Sequence, residues 1–188
     1  MPIERINVAH TDLERRGGLK CLGVFLFEDL SGVTFDSDAN HTITAITDTD
    51  GVLFEIKQGT GSLVSTGTKE NGTIMFEHTV TAYIPNMSDA HLSALDLIGN
   101  ENLVVMAQDF NDVTYCVGLS NAYSIDGGAN GINDQMFAKL TSIEMNSGSA
   151  LTDETGVTIT FSAMSGELPY IIGPAVTINT TSGAFEIG

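Results

Sequence analysis

The side chains able to do chemistry are few and scattered. Asp36-Ser-Asp38-Ala-Asn40 has the oxygen-donor spacing that opens an EF-type calcium loop, which also requires Gly at the sixth position and a bidentate Glu at the twelfth. The chain carries His41 and Thr47 there, so the stretch reads as a solvated turn. Asp109 and Asp112, with Asn111 between them, read as hairpin-loop residues whose carboxylates satisfy their own backbone. His10, His41, His78 and His91 form no pair at metal-ligand spacing, and no C-x-x-C accompanies them. His78 falls on the apolar face of an alternating run, the setting of a hydrogen-bonded or interface histidine rather than a pH-sensitive ligand. Cys21 and Cys116 each lie in an apolar run, where a free thiol behaves as a small buried hydrophobe, and both are expected to be reduced. Asp153 and Glu154 adjoin in sequence and point away from any shared substrate. No G-x-S-x-G elbow, P-loop or G-x-G-x-x-G occurs, and the lack of Trp weakens a sugar-platform reading. These residues define no catalytic, cofactor-binding or metal site, and the expectation is a protein that is not an enzyme and uses no cofactor.

Charge narrows the classes further. The 188 residues include 24 Asp and Glu against 7 Lys and Arg, a formal net charge of −17. That surplus opposes binding nucleic acid by phosphate neutralisation. Arg5, Arg15, Arg16 and Lys20 crowd into the beginning of the chain beside Glu4, Asp12 and Glu14, leaving the rest with Lys57, Lys69 and Lys139 as its cations. A plain reading makes this cluster a solvated end; a sharper one makes residues 1–16 an arm that docks on a neighbour's acidic body. No run has the length of a signal peptide's apolar core or of a ~20-residue membrane span, so a cytoplasmically assembled protein without membrane contact is expected.

The elements that must carry these residues are mostly strands. Gly156–Gly166 alternates without a break, Val157, Ile159, Phe161 and Ala163 on one face and Thr158, Thr160 and Ser162 on the other. Leu19–Phe27 is apolar on both faces, as in a strand covered on two sides, and Gly23 within it suggests a bulge or a close backbone approach. Ile43–Thr47 and Val52–Lys57 read as a hairpin around T-D-T-D-G. Ser62–Ser65 continues the sheet, and Gly72–Ile84 gives an alternation long enough to project beyond its own core. Residues 88–98 form the expected helix, with Ser88 as N-cap, Leu92, Leu95 and Ile98 on one face and Gly99 as the stop. A second hairpin joins Leu103–Asp109 to Val113–Leu119. Ala122–Ile125 is a short strand, and the loop around Gly127, Gly128 and Gly131 is one that a partner would order. Lys139–Met145, Ala175–Ile178 and Ala184–Ile187 complete the strands. The expected architecture is mainly β: an antiparallel β-sandwich or barrel spanning 17–188 around one core, with one flanking α-helix at about 88–98 and an extended N-terminal arm at 1–16.

The succession of these pieces resembles the tail tube proteins of long-tailed bacteriophages, particularly the version found in phages and prophages of Bacteroidetes-type hosts. The residues carrying it are Gly17-Gly-Leu-Lys20 and the strand after it, I-T-A-I at Ile43–Ile46, F-E-I-K-Q-G-T-G-S-L-V-S at Phe54–Ser65, the helix, V-G-L-S-N-A-Y at Val117–Tyr123, and Ser147–Pro169. The resemblance implies a structural virion protein that self-associates into hexameric rings, stacked into a tube through which DNA is ejected without specific binding. It also implies other tail or connector proteins as partners and a place in the virion tail after assembly in the host cytoplasm. A tail terminator, collar or connector ring, and a monomeric all-β binding module, are the alternatives.

Overall fold

The computed structural model describes residues 17–30, 32–36, 41–46, 49–85, 88–120, 136–149, 154–174, 178–179 and 184–187. The arm 1–16, the expected strand Ala122–Ile125 and the glycine loop lie outside them. In chain order the elements are β1 Leu19–Leu26, a 3₁₀ turn Phe27–Asp29, β2 Thr34–Phe35, β3 Thr42–Ala45, β4 Thr49–Glu55, β5 Ser62–Glu70 and β6 Thr73–Pro85. They continue with α1 Asp89–Ile98, β7 Leu103–Asp109, β8 Thr114–Val117, β9 Lys139–Asn146, β10 Gly156–Ser165, β11 Tyr170–Ile172, β12 Ile178–Asn179 and β13 Ala184–Ile187.

The strands form two sheets, a large one ordered β12-β13-β4-β1-β7-β8-β11-β3-β2 and a small one ordered β5-β6-β10-β9. The protein is thus mainly β, a sandwich with a helix beside it, as the alternation implies. Pairing is antiparallel except between β11 and β3, which run parallel. Strand β10 behaves as its alternation requires: Val157, Ile159, Phe161 and Ala163 are buried, whereas Thr158, Thr160 and Ser162 are half-buried on the opposite face. Its inner face meets Leu22, Val24, Leu103, Val105 and Ala107 of the large sheet, together with Val80, Ala82 and Ile84 of β6. Side chains of the two inner faces interdigitate there, the arrangement that fills a sandwich.

Strand β1 is covered on both faces, as its unbroken apolar run implies. Leu22 and Val24 join the inter-sheet core, while Cys21 and Phe25 enter a second buried cluster behind the large sheet with Ile43, Val104, Met106, Cys116 and Tyr170. The single expected core is therefore two, separated by β1 and β7. Leu30 and Val33, which follow the 3₁₀ turn, help close the second cluster. Its two thiols are free. Burial pushes the Cys116 thiol up to about 12, and burial, with Lys20 opposing and Glu55 and Asp112 adding, raises Cys21 to about 11.

Four sequence expectations need correction. Ile43–Thr47 and Val52–Lys57 do not form a hairpin: β3 pairs with β11 and β2, and β4 with β1 and β13. Asp50-Gly51 lies inside β4, where glycine makes room for Phe25; a Cβ at Gly51 would sit 2.5 Å from that ring. Of the two readings of Gly23, a bulge or a close backbone approach, the bulge is overturned: it lies between Leu19 and Cys21, and Gly23 pairs in register with Leu53 and Met106. On α1, Leu95 and Ile98 are buried but Leu92 is 39% exposed, so the apolar stripe is narrower than its spacing suggests. Gly99 ends the helix in a right-handed conformation (φ −59°), stopping it through poor helix propensity and not through a left-handed cap.

Two outcomes check this packing. Ile159→Asp, which puts an unpaired carboxylate at a fully buried site, should cost about 3–5 kcal/mol in denaturant melts, whereas Thr160→Asp on the outer face should cost under ~1 kcal/mol; equal losses would contradict the facing of β10. Both thiols should resist a thiol reagent in the native protein and react on unfolding, since the thiolate is the attacking species.

Candidate functional site

The polar residues singled out in the sequence are not brought together. Among the described residues no three His, Cys, Asp or Glu side chains are grouped to hold a metal. Asp38, Asn40, Thr47, Asp153 and His10 lie outside the described residues. Asp36 donates its backbone N–H to the Thr42 carbonyl at 2.9 Å. Asp109 does what its loop position implies: its carboxylate accepts from the backbone N–H groups of Asn111 (2.8 Å) and Val113 (2.9 Å) and from the Asn111 amide (3.0 Å). Asp112 takes a left-handed φ of 59° and pairs with Lys20 at 3.3 Å. Glu154 pairs with Lys57 across the surface.

The three described histidines serve structure. His91 completes the N-cap of α1: its backbone N–H donates to the Ser88 hydroxyl (3.4 Å), and its Nδ1 accepts from the Ser88 backbone N–H (3.3 Å). His41 stacks on Tyr170 with ring centroids 3.9 Å apart and bonds to the Leu168 carbonyl. His78 is buried on the inner face of β6. Its Nε2 lies 2.9 Å from the Glu167 carbonyl, which can only accept, so Nε2 carries the proton and Nδ1 accepts from the Ser65 hydroxyl at 2.9 Å. The Glu167 carboxylate in turn accepts from the hydroxyls of Ser120 (2.7 Å) and Tyr170 (2.9 Å). This network ties β5 and β6 to the segment before β11. Sequence reading missed it because Ser65 and His78 meet only through the register of β5 on β6.

What remains as a site is a surface. β5 and β9 are the edges of the small sheet, and each pairs with another strand on one side only among the described residues. The outer face of this sheet is rich in hydroxyls, with Thr79 and Thr81 on β6, Thr158, Thr160 and Ser162 on β10, and Ser142 on β9. Glu70, Glu77 and Glu144 are its acids, Lys139 opposes Ser162, and Val64 and Met164 stand exposed among them. The register also places Ile143 and Met145 on the inner face of β9, beyond the cover of the large sheet, so they are 49% and 65% exposed.

The hairpin β5–β6 overhangs its neighbours. Pairing of β10 with β6 stops at Ser165–Phe76, while β5 and β6 continue together to Glu70–Thr73. Asn71 (φ 48°) and Gly72 (φ 87°) form the connecting turn, both left-handed as a two-residue hairpin requires. The Asn-Gly pair is the signal that would have revealed it, and β5 would then have been extended from Ser65 to Glu70. The long-strand expectation holds, with β6 running from Thr73 to Pro85.

Comparison with known proteins returns no matching family model, no matching curated protein and no matching solved structure.

The His78 network carries a pH dependence. Burial lowers the His78 pKa below its ordinary 6.5, with the Glu167 hydrogen bond partly offsetting the shift. The unfolded chain therefore takes up a proton at a pH where the folded chain does not, and stability falls as pH drops from about 6.5 toward the lower folded value. His78→Gln should flatten the slope of unfolding free energy between pH 7 and 5 in urea melts. An unchanged slope would show that His78 is not the linked group.

Proposed function

We propose that this protein is a structural virion component that self-associates into rings, stacked as a phage tail tube through which DNA passes. The observation that carries the reading is the four-stranded small sheet, whose edge strands β5 and β9 each pair on one side only among the described residues. Its strands alternate in direction, so β5 and β9 run antiparallel to each other. A copy rotated about an axis along the strands brings its β9 beside this β5 in antiparallel sense, and the sheet continues from subunit to subunit until it closes. Closure removes the open edges, which are otherwise templates for uncontrolled pairing. With six copies, the resemblance's stoichiometry, about 24 strands spaced ~4.8 Å apart give a circumference near ~115 Å and a backbone diameter of roughly 37 Å.

The outer face of the small sheet then lines the lumen. Hydroxyls with a few carboxylates, interrupted by Val64, Met164 and the cation Lys139, suit a channel that conducts DNA, since they lack the counterion-release attraction that a basic wall would create. The β5–β6 overhang runs along the strand direction and so projects along the ring axis, toward the next ring. A tail terminator, collar or connector ring would use the same edges. The second reading, a monomeric binding module, draws on a cleft of about 530 Å3 beside Tyr115 and Ile171.

Ring formation should appear on negative-stain imaging of the purified full chain. Ile143→Lys combined with Met145→Lys places charge beside the β9 edge at exposed positions. It should change monomer stability by under ~1 kcal/mol while abolishing rings. A wild-type chain that stays a compact monomer at every concentration would overturn the proposal and favour the binding module.

A further inference from the structure

The two sheets are bridged at one margin through Leu103 and Ala138, and at the other a cleft remains beside the Leu19–Gly61 backbone hydrogen bond (3.3 Å) and the His78–Glu167 contact. On the joined side, Leu103 and Ala138 exchange backbone hydrogen bonds of 2.9 and 2.8 Å. On the other side, Leu63 and Ser65 of β5 and Tyr115 and Ile171 of the large sheet line a cleft of about 530 Å3, with Leu168 and Asp109 also on its wall. Leu168 is 51% exposed and Ile171 40%, so the described residues leave apolar surface at this margin.

Gly17 and Gly18 also line this cleft. The segment that leads into them, residues 1–16, is polar except for a few side chains, among them Ile3, Ile6, Val8 and Leu13. We propose that the cleft is the docking site of the protein's own N-terminal segment, which lays these aliphatic side chains between the sheets on the inner side of β5.

Three observations converge on this occupant. The described chain starts at Gly17 in the cleft wall, and a side chain at Gly17 would meet nothing within 4 Å, so this end of the cleft is uncrowded. Arg15 and Arg16 immediately precede Gly17 in the sequence, so a segment docked here would bring positive charge to a margin that Asp109 lines. A tether this short also holds the segment at an effective concentration on the order of millimolar, which favours a chain's own cleft over a neighbour's. Leu63 and Ser65, whose side chains face inward from β5, line the cleft together with Gly61 and Ser62 at the start of the strand. Docking within one chain differs from the arm-on-neighbour expectation.

Hydrogen exchange on the full chain tests it. Exchange at residues 61–65 and 168–171 is compared between the wild type and the triple variant Ile3→Asp, Ile6→Asp, Val8→Asp, at two protein concentrations that both lie below the onset of ring assembly. The variant should exchange roughly tenfold faster at both cleft walls, with 139–146 unchanged and no effect of dilution. Equal exchange would show an empty cleft, and protection that disappears on dilution would assign it to another copy; either result overturns the proposal. A second measurement holds even if the triple variant misfolds. The pair Leu13→Cys and Ile171→Cys, oxidised in dilute solution, should close a disulfide within one chain. Only interchain product, or none, contradicts docking in cis.

Discussion

The antiparallel pairing of β6 with β10 is the constraint on which the rest of the structure depends. It runs unbroken from Pro85–Gly156 to Phe76–Ser165, so one register assigns every side chain of both strands to a face. Val80, Ala82, Ile84, Val157, Ile159 and Phe161 then fill the space between the sheets. A slip by one residue would exchange them for Thr79, Thr81, Thr158 and Thr160, burying hydroxyls and exposing aliphatics. The same register puts His78 next to Ser65 through β5 and gives the small sheet its hydroxyl-rich outer face. Core and surface thus follow from one pairing.

Where local pattern and tertiary environment agree, the fold was legible in the sequence. β10 alternates because one face is buried, β1 is apolar throughout because both of its faces are, and Ser88 caps α1 with His91 answering from the third position. The chain was misread where long-range pairing overrides local signals. Asp50-Gly51 has the composition of a turn, yet the glycine there yields space to Phe25 within a strand. Thr66–Glu70 lacks an apolar alternation because that half of β5 lies beyond the core and is held by its backbone pairing to β6. The second buried cluster was invisible for a related reason. Cys21, Cys116, Ile43 and Tyr170 are distant in sequence and gather only when the large sheet forms.

The candidate site was less legible than the fold. Reading residue types finds sites built from side-chain chemistry, and the histidines and aspartates here are engaged in capping, stacking and turn closure. The functional feature proposed here is made of backbone: unpaired edges on β5 and β9 and the direction in which they run. Neither quantity is written in any one residue. Both emerge from strand order, and the exposed Ile143 and Met145 gain meaning only once β9 is known to be an edge.

The central claim is that β5 of one copy pairs with β9 of the next. Amide hydrogen exchange read at 62–70 and 139–146, in dilute protein and in protein concentrated enough to assemble, addresses it directly, because an edge amide exchanges freely until a partner strand accepts its hydrogen bond. The account predicts that the outward-facing amides of both strands become protected together on assembly, while the hairpin of β7 and β8 is unchanged. Assembly with both edges still exchanging as in the dilute protein would contradict it.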